Sequence, residues 1–155
     1  MNNRTSVERK SERQVVVTRL VNAPPHIVFR AWTQAELFRQ WWVPKSAPVN
    51  LVSCEMDVRI GGGYRLVFRH AGGEMAFFGS YREVVPNSRL VWTNDEEWGA
   101  GQITTVTFEE SASNTLVRMH DLYPSKEALD VAMASGSQDG TLETFDQLEE
   151  FVRAR

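Results

Sequence analysis

The stretch from Leu51 to Leu122 constrains the fold most, because strand-like segments alternate there with turn signals and leave room for little else. VSCEMDVRI ends at Gly61, Gly62 and Gly63; YRLVFRH ends at Ala71, Gly72 and Gly73; MAFFGSYREVV ends at Pro86 and Asn87. RLVWT, ITTVTFEE and TLVRMHDLY follow, with polar residues between them. Glycine, proline and asparagine supply the backbone conformations of tight reversals, and connections this short join strands that run in opposite directions. The segments therefore predict an antiparallel meander of six strands, and the β-branched QVVVTRLV of residues 14–21 adds a seventh.

Such a sheet needs cover for one face, and the end of the chain provides it. In TLETFDQLEEFVRAR, Leu142, Phe145 and Leu148 recur at helical spacing, with Phe151 or Val152 continuing the stripe. The spacing predicts a long terminal helix with Phe145 and Leu148 facing the sheet and Glu143, Gln147 and Glu150 facing water. SKEALDVAMAS predicts a shorter helix before it, separated by a break from Gly136 to Gly140. After the first strand, NAPPHIVFRAW carries prolines at a helix start, and Thr33 to Glu36 reads as a capping box. Two short helices are expected there, the second running through Trp41 and Trp42 to Pro44. Trp41, four residues after Leu37 and three after Phe38, continues the buried face; Trp42 lies about 100° further round and becomes a rim residue. Strand twist curls the sheet, so the fold class is α+β, with the terminal helix across the concave face.

Other features narrow the function. Residues 1–13 carry charges but almost nothing to bury and read as a flexible tail; residues 14–155 form a single domain. A net charge of −3 with no basic cluster beyond that tail argues against nucleic acid. No stretch reaches the ~20 apolar residues of a membrane span, and the start lacks a secretory signal, so a soluble, cytoplasmic protein is expected. Cys54 is the sole cysteine and reads as a small buried hydrophobe. His26, His70 and His120 lack metal-ligand spacing. Nucleophile elbows and nucleotide loops are missing, and the glycines at 61–63 precede a strand. No metal, cofactor or catalytic residue is assigned.

Four runs in register, NAPPHIVFRAWTQAELFRQWWVP, RIGGGYRLVF, FGSYREVVPNSRLVWT and SGSQDGTLETFDQLEEF, resemble the activator of heat-shock protein 90 ATPase homologue-like domain family. That family belongs to the START-like, SRPBCC or birch-pollen-allergen-like superfamily, and the likeness covers roughly residues 14–153. It implies a helix-grip fold: a curved seven-stranded sheet wrapped on a long C-terminal helix, with an apolar cavity between them. Members of the superfamily bind lipids, sterols, hormones or polyketides, and a minority are enzymes. Eukaryotic activators of the chaperone carry a separate N-terminal domain, which 13 polar residues do not supply.

Strand alternation puts Tyr64, Leu66 and Phe68 on one face, and Met75, Phe77, Gly79 and Tyr81 on another, with Trp92 and Met119 at inward positions. Combined with the implied cavity, the expected lining is Trp32 and Trp41 from the helices, Tyr64, Leu66, Phe68, Phe77, Tyr81, Trp92 and Met119 from the sheet, and Phe145 and Leu148 from the last helix. Trp42 sits at the rim. Glu83, His120 and Asp121 are the ionisable candidates near strand ends. The leading expectation is non-enzymatic binding of a small hydrophobic ligand. One alternative is a protein-interaction module, either a chaperone cofactor or a homodimer, with Trp42, Val43 and Pro44 as its hot spot. The other is a cyclase-like enzyme, which requires two polar side chains meeting inside the cavity.

Overall fold

The computed structural model describes residues 5–96, 100–135 and 137–153. The first four residues of the expected tail, Gly136 of the expected helix break and the last two residues of the expected domain lie outside the described residues. In chain order the elements are β1 (Ser6–Arg9), β2 (Gln14–Val21), α1 (Pro25–Thr33), α2 (Ala35–Phe38), β3 (Asn50–Met56), β4 (Gly63–His70), β5 (Gly73–Val85), β6 (Arg89–Asn94), β7 (Gln102–Ser111), β8 (Asn114–Leu122), α3 (Lys126–Ala134) and α4 (Ser137–Arg153). The class is α+β, an open antiparallel sheet with a C-terminal helix. Among the described residues no helix is long and apolar enough to cross a membrane.

The sheet has eight strands, in the order β1-β2-β8-β7-β6-β5-β4-β3, not the seven expected. The additional strand comes from the stretch read as a tail: Ser6 to Arg9 pair antiparallel with Thr18 to Val15. A four-residue polar edge strand is held by main-chain hydrogen bonds and leaves little apolar pattern to read. The six-strand meander from β3 to β8 forms as expected, with neighbours in sequence adjacent in space. Register shifts between Leu51 and Ser53 and between Tyr81 and Glu83 interrupt the ladders, the kind of irregularity that bends a sheet.

Along β2 the inner face carries Val15, Val17, Arg19 and Val21, all buried, between half-buried neighbours. Helix α4 covers that face. Its Phe145, Leu148 and Val152 join Val17, Val21, Leu90, Val106 and Val117 in one core. Arg19 rises from the same face with its side chain 7% exposed, and its Nη1 reaches Asp146 at 2.6 Å while Nη2 lies 3.7 Å from Glu149. A guanidinium this buried is tolerated because it is paired, and the pair fixes α4 against β2.

Three local expectations need correction. Thr33 ends α1 and its hydroxyl donates to the Phe29 carbonyl at 2.9 Å, so the capping box does not form; Gln34 precedes α2 without a side-chain cap. Helix α2 is only four residues long, and Trp41 and Trp42 occupy the turn after it. Both tryptophan amides still donate to the Phe38 carbonyl, which keeps the turn helix-like and explains why Trp41 points inward. On α4, Gly140 lies within the helix, Leu142 is 36% exposed, and Gln147, expected in water, is buried.

A cavity between the sheet and the last helix

A cavity of about 990 Å³ lies between the sheet and α4. Alternation in β4 and β5 delivers Tyr64, Leu66, Phe68, Met75, Phe77 and Tyr81 to its floor, and Trp92 and Met119 come from β6 and β8. Trp32 from α1, the Trp42–Pro44 turn, and Thr144 and Phe145 from α4 form the opposite wall. Ala128, Val131 and Ala132 of α3 and Ser135 just after it border it, with Val131 71% exposed, which marks the mouth. Ser125 caps α3 by accepting from the Ala128 amide at 3.1 Å.

One glycine shapes the floor. Gly79 is the register partner of Tyr64, and a Cβ there would meet the Thr93 carbonyl oxygen at 2.0 Å. The bare backbone lets the strands close up, and the Tyr64 hydroxyl donates to that same carbonyl at 2.7 Å.

Trp32 is the hub of the aromatic wall. Its ring centroid lies 4.8 Å from Trp41, 5.8 Å from Trp42, 6.1 Å from each of Trp92, Phe108 and Phe145, and 6.3 Å from Phe38. Edge-on contacts, as with Trp41, Trp42 and Phe108, add about 0.5–1.5 kcal/mol beyond the area they bury. The Trp32 Nε1 is buried without a hydrogen-bond acceptor, enclosed by these rings. Trp41 Nε1, in contrast, donates to the Ala31 carbonyl at 3.0 Å.

Gln147 fastens this wall to α4. Its amide nitrogen donates to the carbonyls of Trp41 at 2.9 Å and Val43 at 2.8 Å, and its oxygen accepts from the Lys45 amide at 2.8 Å. Nearby, Thr144 Oγ1 donates to the Trp42 carbonyl at 3.1 Å, and Glu143 accepts from the Ser46 amide and hydroxyl. Those hydrogen bonds hold the Glu143 carboxyl below its ordinary range. The side pairing of tryptophans thus has a division of labour: Trp41 is core, and Trp42 is half-buried, stacked on Phe38 at 4.7 Å, and faces the cavity.

A polar string runs along one end. Besides its bond to Thr93, the Tyr64 hydroxyl lies 3.2 Å from Asn94 Oδ1. The Asn94 amide nitrogen donates to the Gln102 carbonyl at 3.1 Å and to Thr104 Oγ1 at 3.3 Å, and Thr104 donates to Asp121 at 2.6 Å. Burial pushes the Asp121 carboxyl up, against hydrogen bonds from Thr104 and Gln102 that pull it down. Burial also raises the phenols of Tyr64 and Tyr81, and that of Tyr123 to about 12, so all three keep their protons near neutrality. Glu96, just after β6, completes this end and is buried.

Of the expected lining, Trp32, Tyr64, Leu66, Phe68, Phe77, Tyr81, Trp92, Met119 and Phe145 border the cavity, as does Trp42. Trp41 and Leu148 do not; both are packed behind the wall. Glu83 pairs with Arg89 at 3.1 Å away from the cavity, and neither His120 nor Asp121 borders it directly. Asn94, Glu96, Gln102 and Tyr123, together with the α3 residues, were not anticipated, because polar residues flanking a strand end look like solvated loop in a sequence. Among the described residues no histidine, cysteine or carboxylate group clusters as a metal site.

The family model described as Activator of Hsp90 ATPase homolog 1-like protein matches residues 22–153. No curated protein matches the chain. Among solved structures, a Nitrosomonas europaea protein superposes with a TM-score of 0.84 at 23% identity, covering 94% of this chain and 97% of that one. A Rhodobacter sphaeroides protein gives 0.87 at 20% identity, with 97% and 98% covered. An AHSA1-like protein from Aeromonas hydrophila gives 0.72 at 17% identity, with 91% and 92% covered. At these identities the likenesses show the fold.

Proposed function

The chain belongs to the Activator of Hsp90 ATPase homolog 1-like family, and from that premise we propose that it binds a small, mostly apolar molecule between the sheet and α4 without transforming it. The observation that carries this reading is the cavity of about 990 Å³, walled by aromatic and aliphatic side chains with a few polar groups gathered at one end. Ligand pockets of roughly 300–1,000 Å³ have this composition: apolar walls supply affinity, and sparse hydrogen-bonding groups set orientation. A side chain such as Trp32, locked by rings on several sides, is preorganised and loses little freedom when a ligand arrives.

The test uses the tryptophans as reporters. Native mass spectrometry of freshly purified protein looks for a co-purified small molecule, and titration with a panel of lipids and aromatic compounds follows tryptophan emission. Trp32, Trp42 and Trp92 border the cavity, so binding is expected to shift that emission. A silent panel together with ligand-free protein would sink the proposal.

The family's name favours a second reading, a module that stimulates a chaperone ATPase. Trp42 is not the free hot spot such a surface would want, since it stacks on Phe38 and lines the cavity. An ATPase assay with the chaperone separates the two readings.

A further inference from the structure

The ionisable groups of the cavity are unevenly chosen. Glu96 is the carboxylate among the described lining residues, and no lysine, arginine or histidine stands with it. It is 3% exposed, and its hydrogen bond from the Phe78 amide is long, at 3.4 Å. A carboxylate withdrawn from water is costly unless it is paired, and one weak amide bond is poor compensation.

The neighbouring rings reinforce that sign. Tyr64, Tyr81 and Trp92 meet with centroids 5.9 to 6.4 Å apart and planes at 61° to 75°. Rings crossed in this way present faces as well as edges, and aromatic faces attract cations through their quadrupoles. Glu96 is near enough to Tyr64 to oppose ionisation of its phenol, which places carboxylate and ring at the same end of the cavity.

We infer that the cavity is built for an organic cation, an apolar body that fills the aromatic part and an amine or quaternary ammonium group that pairs with Glu96 beside Tyr64 and Trp92. The inference rests on the binding function proposed above and adds the ligand's charge. It sets this cavity apart from one suited to fatty acids, whose carboxylate would meet Glu96 with no positive side chain in the described lining to offset it.

Three probes of one chain length decide the matter: decyltrimethylammonium, decanol and decanoate, each titrated below its micelle concentration at pH 7.5 against the full chain. The cation should bind about tenfold more tightly than decanol, the sum of a modest cation–π term and a buried charge pair, and decanoate should bind more weakly than decanol. Glu96→Gln should bring the cation to near parity with decanol on the same variant, with far-ultraviolet circular dichroism showing that the variant is folded. Equal affinities for the three probes, tighter binding of decanoate, or a cation preference that survives Glu96→Gln would overturn the inference and leave the binding function standing. Failure of all three probes to bind would overturn the inference, and with a silent panel and ligand-free protein the binding function would fall as well.

Discussion

Gln147→Leu is expected to cost more stability than any surface change, although glutamine to leucine on a helix is neutral in propensity. The substitution keeps similar bulk but removes hydrogen bonds to the Trp41 and Val43 carbonyls and from the Lys45 amide. Each such bond contributes about 0.5–1.5 kcal/mol net, and a buried partner left alone adds its desolvation cost. The bond to Trp41 is buried, whereas Val43 and Lys45 are partly open and recover some hydration. The expected loss is therefore about 2–4 kcal/mol, or a fall in Tm of roughly 4–16 °C for a domain of this size. Urea melts at pH 7, followed by far-ultraviolet circular dichroism and by tryptophan emission, give the number. The emission of the folded variant should also change, because Trp42 and Val43 lose their tie to α4. A loss below about 0.5 kcal/mol with unaltered emission would show that the turn is held by packing alone, and the fastening argument would be wrong.

Other consequences are equally open to measurement. Phe145→Ala would cost roughly 3–5 kcal/mol if the ring were packed on all sides, but it borders the cavity, so a smaller loss with a clear change in ligand affinity is expected from melts and binding on the same variant. A large loss with unchanged binding would make it core only. Gly79→Ala places a methyl against the Thr93 carbonyl, forcing β5 and β6 apart; a destabilisation of about 1–3 kcal/mol is expected in denaturant melts, and a neutral result would contradict the close approach. Asp121 has its folded pKa raised above the ordinary 3.8, so the native state holds the proton more tightly than the unfolded chain. Its contribution to stability therefore falls as pH rises through the window from 3.8 up to that raised value, and Asp121→Asn should flatten this dependence in melts across the acid range. An unchanged profile would remove Asp121 as its source.

The sheet was legible because its evidence is local. Alternation in QVVVTRLV and YRLVF states which face is buried whatever the partner strand is, and turn residues state where each strand stops. Helical spacing likewise turns Phe145 and Leu148 inward, although only Phe145 meets the cavity. Strand β1 was not, because SVER is held by backbone bonds to β2 that leave no mark on side-chain pattern. Gln147 reads as a solvent-facing residue because it is polar, yet its partners are main-chain atoms about a hundred residues earlier in the chain. Asn94, Glu96 and Gln102 were passed over because burial of a polar strand end depends on what other segments cover it. Trp41 and Leu148 show the complementary limit: an apolar inward position can be read from spacing, but whether it meets a void or another side chain cannot.

Strand β1 lies at the margin of the sheet, yet Arg9 reaches Asp130 on α3 at 2.8 Å, where Lys126 also arrives at 2.7 Å. Exposed pairs of this kind contribute little to stability and do not hold a domain together. They do tie the edge of the sheet to a helix that borders the cavity. The lever on such a pair is ionic strength, since salt screens exposed charges and leaves the buried aromatic walls untouched. The charged edge and the interior of the chain therefore answer to different conditions: salt loosens the first and leaves the second as it is.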